Sequence, residues 1–109
     1  MIGRPVKSEI RERIIDILYV IKEAYGYEIY RYYKNLFPKI TLRSIYYNLE
    51  KGVSLEEIEV SRTEKTEGKY SWGSVSERNY YCIGKNARAN PDAEMIRKIS
   101  RLKTELKKH

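Results

Sequence analysis

Two amphipathic patterns of helical period meet at Pro38 and leave the chain little freedom between Gly26 and Gly52. From about Tyr27 to Phe37, the residues Ile29, Tyr33, Leu36 and Phe37 recur at helical spacing, and Pro38 then forces the chain out of helix. Thr41 is a good cap for the next helix, whose Leu42, Ile45 and Leu49 form an apolar stripe at steps of three and four. Two helices joined by a short turn are therefore expected, with Gly52 loosening the end of the second.

At about 100° per residue, the face opposite that stripe carries Arg43, Ser44, Tyr47 and Lys51, with Asn48 and Glu50 at its margins and Tyr46 near the core edge. Lys39 and Thr41 stand at its entrance. A guanidinium, hydroxyls and an amine within reach of one another can contact phosphates and base edges. A solvated face is the plain alternative. The DNA-contact reading is preferred because this helix follows a turn-separated partner and precedes a basic hairpin.

The charge distribution agrees with that preference. The 109 residues carry a net charge of +7, which suits a polyanionic partner. Residues 27–52 hold five Lys and Arg against two acids, and residues 91–109 hold six against three, while residues 53–90 balance at six each. A length of this order predicts one domain with a modest core and no separate effector module.

Ser8 can cap a first helix that runs to about Tyr25, with Ile10, Ile14, Ile17, Leu18 and Ile21 inward and Gly26 ending it. Beyond Gly52, Ile58, Val60 and Arg62 alternate with Glu57, Glu59 and Ser61 as a strand, a bend spans 64–76, and residues 79–83 return. Arg62, Lys65 and Lys69 supply charge around this hairpin, with Tyr70 and Trp72 near its tip. Glu59, Glu64 and Glu67 interleave with these cations, so such a hairpin would touch phosphate only at its tip. Trp72 could enter a minor groove, pack beneath the hairpin or line a small pocket. Most of the eleven tyrosines are expected in the core or at groove edges.

Asn90-Pro91-Asp92 combines a cap, a proline at the first helical position and an acid in the first turn. The following helix carries Met95, Ile99, Leu102 and Leu106 at steps of four, three and four. That stripe could pack on the first helix of its own chain or on a second copy. The second copy is favoured, which makes residues 90–109 a dimerisation element appended to a module of residues 1–89.

Helix, helix, helix with a polar outer face, basic hairpin and terminal helix together resemble the winged helix-turn-helix regulators, and among them the PadR-like and related archaeal families. Gly26-Tyr27-Glu28-Ile29, Ser44-Ile45-Tyr46 with Leu49, and Arg78-Asn79-Tyr80-Tyr81 carry the likeness, over about residues 8 to 85. Arg43 and Tyr47 stand where the family often has glycine and proline. The resemblance implies a mainly α fold with a small β-hairpin, a homodimer paired through its terminal helices, and two recognition helices in successive major grooves of double-stranded DNA.

Other classes fare less well. Cys82 is the only cysteine and His109 the only histidine, so neither a disulfide within the chain nor a zinc site can be assembled, and no nucleophile and base, glycine-rich phosphate loop or cofactor motif is evident. Cys82 reads as a buried, inert thiol. No apolar run resembles a signal peptide or a membrane span, so a cytoplasmic, soluble protein is expected. Two rivals stand beside the DNA-binding regulator: a winged-helix adaptor that meets an acidic protein surface, and an RNA binder using the basic and aromatic surface. A small effector between subunits is left open.

Overall fold

The computed structural model describes residues 8–37, 39–67 and 75–106. Its elements are α1 (Glu9–Ile21), β1 (Ala24–Tyr25), α2 (Gly26–Leu36), α3 (Leu42–Ser54), β2 (Ile58–Glu67), β3 (Val75–Ile83) and α4 (Ala93–Leu106). The strands form one antiparallel sheet in the order β1-β3-β2. Four helices and a three-stranded antiparallel sheet in this order are compatible with a winged helix. No helix among the described residues is long and apolar enough to cross a membrane.

α1 begins as its sequence dictates. The Ser8 hydroxyl oxygen accepts the Arg11 N–H at 3.1 Å, and Glu9 and Glu12 place negative charge in the first turn, where the helix dipole favours it. The helix stops at Ile21, short of Tyr25. Lys22 takes φ 79° and ψ −50°, and Glu23 N–H bonds the Ile21 carbonyl at 3.0 Å, a tight turn of γ type. That turn releases Ala24 and Tyr25 to pair with Tyr81 and Tyr80 of β3. A two-residue strand has no period to read, which is why it looked like more helix. Gly26 consequently opens α2 rather than closing α1. A Cβ there would collide with the Tyr46 ring.

α2 ends at Leu36, and Phe37 adopts φ −137° and ψ 97°, the extended backbone that a following proline favours. Pro38 itself lies outside the described residues. Lys39 has φ 71°, and Thr41 then caps α3 by accepting the Ser44 N–H at 3.0 Å. Gly52 does not loosen this helix, which continues to Ser54. Its bare Cα instead admits β2: a Cβ would sit 2.5 Å from Ile58 Cδ1.

β2 and β3 are longer than the alternation suggested, extending the pairing outward to Glu67 and Val75. The register also shifts. Val60 faces Tyr81 and Arg62 faces Tyr80, so Ser61 is the extra residue of a bulge. Arg62 therefore leaves the face of Ile58 and Val60, with which strict alternation had grouped it.

The core gathers Ile14, Ile17 and Leu18 of α1, Ile29 of α2, Ile45 and Leu49 of α3, Ile58 of β2 and Ile99 of α4, all essentially inaccessible. Burying such a side chain contributes about 1.5–3 kcal/mol. The presence of Ile99 in that set changes the reading of the terminal helix. α4 packs on α1 and α2, and Met95, Leu102 and Leu106 lie against the same core, so the stripe assigned to a second copy is occupied within its own chain. Its cap also differs, since Asp92 rather than Asn90 accepts the Met95 N–H, at 2.8 Å. Asn90 donates its backbone N–H to the Asp16 carboxylate at 3.0 Å and ties the connection to α1. Burial pushes the Asp16 pKa up against that hydrogen bond.

One polar contact joins α1 to α3 inside this apolar frame. The Ser8 hydroxyl donates to Asn48 Oδ1 at 2.9 Å, and Asn48 Nδ2 donates to the Ser44 carbonyl at 2.9 Å. Ser8→Ala removes a cap worth about 0.5–2 kcal/mol and leaves a buried amide oxygen unpaired at a further cost of about 1–3 kcal/mol. In denaturant unfolding, Ser8→Ala with Asn48→Ala should lose clearly less than the sum of the single changes. Additive losses would show that the two side chains do not depend on one another.

Candidate nucleic-acid interface

α3 is fixed along its inner side by Ile45 and Leu49 and at its start by Thr41, so its outer side is set without adjustable parts. Arg43, Tyr47, Glu50 and Lys51 are exposed there, Tyr47 at 64%. Arg43, Tyr47 and Lys51 are four residues apart, which stacks them along one face with a rise of about 6 Å per step. Lys39 and Thr41 are exposed just before the helix, and Ser44 is half-buried. Among the described residues, no ion pair engages Lys39, Arg43, Lys51 or Lys65.

Asn48 does not belong with them. It is 5% exposed, and its amide is spent on Ser8 and Ser44, so it supports α3 from within. On a helical wheel it lies at the margin of the polar face. What turns that margin inward is a partner forty positions away.

Tyr46 sits between the two faces. It is 40% exposed, its ring lies over Gly26, and it lines a cavity of about 320 Å³ with Tyr25, Tyr27, Arg78 and Tyr81. Burial raises its hydroxyl pKa, Tyr81 and Tyr25 add to the rise, and Arg78 opposes it. The first turn of α2, α3 and β3 thus meet around an aromatic seam.

The sheet presents a different kind of surface. The Arg62 guanidinium lies 3.8 Å from the centre of the Tyr80 ring, and that of Arg78 lies 4.1 Å from the centre of Tyr25. Tyr25 and Tyr80 meet edge to face at 5.5 Å. Glu23 holds Arg62 Nε at 3.1 Å, while Glu64 lies 3.5 Å from Arg62 and 3.8 Å from Arg78. Two cations are matched by two acids in one lattice across three strands. The hydrogen bond from Ser61 and then that from Arg62 lower the Glu23 pKa, and the hydrogen bond to Glu23 raises that of Arg62.

Arg62, one of the candidate contacts, is therefore committed to its neighbours, whereas Lys65 is exposed opposite Glu77. Lys69, Tyr70 and Trp72 lie outside the described residues. Glu23, Tyr25, Arg78 and Tyr80 escaped the sequence reading as a group. The Arg78-Asn79-Tyr80-Tyr81 run was visible, but its partners depend on β1 and on the bulge. Comparison with protein-family models, curated proteins and solved structures finds no match to this chain.

The lattice makes an acid-dependent link. A carboxylate whose pKa is lowered on folding contributes stability above its ordinary range and loses that contribution as pH falls through the lowered value. Glu23→Gln should melt below the wild type at neutral pH, and the gap should close on acidification below the ordinary carboxylate range. A gap of constant size would show that the charge of Glu23 does not hold this edge.

Proposed function

We propose that this chain is a winged helix-turn-helix protein that binds double-stranded DNA in a sequence-specific manner and acts as a transcriptional regulator. The observation that carries the reading is the outer face of α3, where Arg43, Tyr47 and Lys51 are exposed and the charges of Arg43 and Lys51 are unpaired among the described residues. A helix of this kind fits the major groove. Arg43 would read guanine or clamp a phosphate, Ser44 and Tyr47 would contact phosphate or a thymine methyl, and Lys39, Thr41 and Lys51 would hold the backbone at either end. Lys65, and Lys69 beyond it, would bring the wing to adjacent backbone or the minor groove.

The likeness to PadR-like regulators adds a homodimer on palindromic half-sites about 34 Å apart. Since Met95, Ile99, Leu102 and Leu106 serve the chain's own core, the pair would form through other residues or by exchange of α4 between copies.

A second reading, an adaptor that docks on another protein, draws on the aromatic character of the same surface. Tyr27, Tyr46 and Tyr47 are all substantially exposed, and the base of the wing is charge-neutral. Substitution separates the two. On a duplex recovered by selection, Arg43→Ala should weaken binding by about 1–3 kcal/mol and relax the preference at one base position. Unchanged affinity and preference would remove α3 from the interface and favour the adaptor.

A further inference from the structure

α4 turns its apolar stripe inward, and among the described residues its outside carries three exposed cations, Arg97, Lys98 and Arg101, against two exposed acids, Glu94 and Glu105. Arg97, Lys98 and Arg101 are exposed within little more than one turn, and the only acid that pairs with them among the described residues is Glu94, 3.9 Å from Lys98. Such a pair contributes little in water. Arg97 and Arg101 are four residues apart, so their guanidinium groups rise along one line by about 6 Å.

Position separates this surface from α3. Both helices bury their inner faces against α1 and α2, while α3 alone also packs on β2. The two helices are not packed on one another, so their outer faces are separate surfaces.

We propose that the outer face of α4 is a second binding surface whose occupant is the phosphate backbone of another DNA duplex. One chain then engages two duplex segments, a selected sequence on α3 and any sequence on α4. This rests on the DNA-binding reading of α3. A second copy of the chain is a poorer occupant than a polyanion, because two-fold pairing of this face would bring together more cations than the acids Glu94 and Glu105 can match. An apolar partner finds only Ile96, at 39% exposure, to meet. Guanidinium groups suit phosphate oxygens, and contact with the backbone needs no particular base sequence.

The test uses the full chain, an immobilised duplex carrying the selected site and a free fluorescent duplex of unrelated sequence. Binding to the selected duplex alone is followed by anisotropy. Wild type should capture the second duplex in trans. Arg97→Glu with Lys98→Glu and Arg101→Glu should reduce capture at least about tenfold while keeping affinity for the selected duplex within about threefold; circular dichroism confirms the fold. The milder Arg97→Gln with Arg101→Gln should give an intermediate loss. Capture by wild type should fall with salt more steeply than capture by the triple variant, by about 2.7 in the logarithmic slope for three phosphate contacts. Wild type that binds the selected duplex but captures no second one would overturn the proposal and leave the α3 reading standing. Capture retained by the triple variant but lost in Arg43→Ala would overturn it too, assigning the bridge to paired α3 helices. Failure of wild type to bind any duplex would overturn both.

Discussion

The apolar side of α1 is the surface on which the other helices and β3 are assembled. Ile14, Ile17 and Leu18 are inaccessible, and α2, α3, α4 and β3 all pack on this helix. Hydrophobic burial has no direction of its own, so it does not by itself decide how those elements are turned about their axes. Directional contacts add that: Ser8 to Asn48 fixes the rotation of α3, Arg11 to Glu57 at 2.8 Å fixes the turn that leads into β2, and Asp16 to Asn90 fixes the approach to α4. The outer face of α3 is thus a consequence of how α1 is packed and pinned.

Charge is partitioned on this frame. Where strands meet, Arg62 and Arg78 stack on tyrosines and are neutralised by Glu23 and Glu64, which stiffens the sheet and leaves little net field. Where helices face outward, on α3 and α4, the cations are in excess. A pairing pattern of this kind concentrates positive potential at the two helical faces, which is where a polyanion would be drawn.

Much of the helical layer was legible from local periodicity, because an apolar stripe states which side of a helix is buried. Ile45, Leu49 and Ile99 all lie inward as their spacing predicts. Periodicity does not state against what a stripe is buried, and that of α4 lies against α1 and α2 of its own chain. Nor does it reach contacts distant in sequence: the wheel leaves Asn48 at the margin of the outer face, and its bond from Ser8 lies forty positions away. The sheet was least legible. β1 is too short to carry a pattern, and the single extra residue at Ser61 reversed the side on which Arg62 lies. The α3 cations were readable as a group, while the commitment of Arg62 to Glu23, thirty-nine positions away, was not.

The central claim is that α3 reads duplex DNA, and selection from a random duplex pool across a salt series tests it most directly. The expected result is enrichment of a defined site, palindromic if the protein acts as a pair, with retention falling steeply as salt rises. Weak salt-sensitive retention with no enriched sequence would contradict it and leave general charge as the only attraction to DNA.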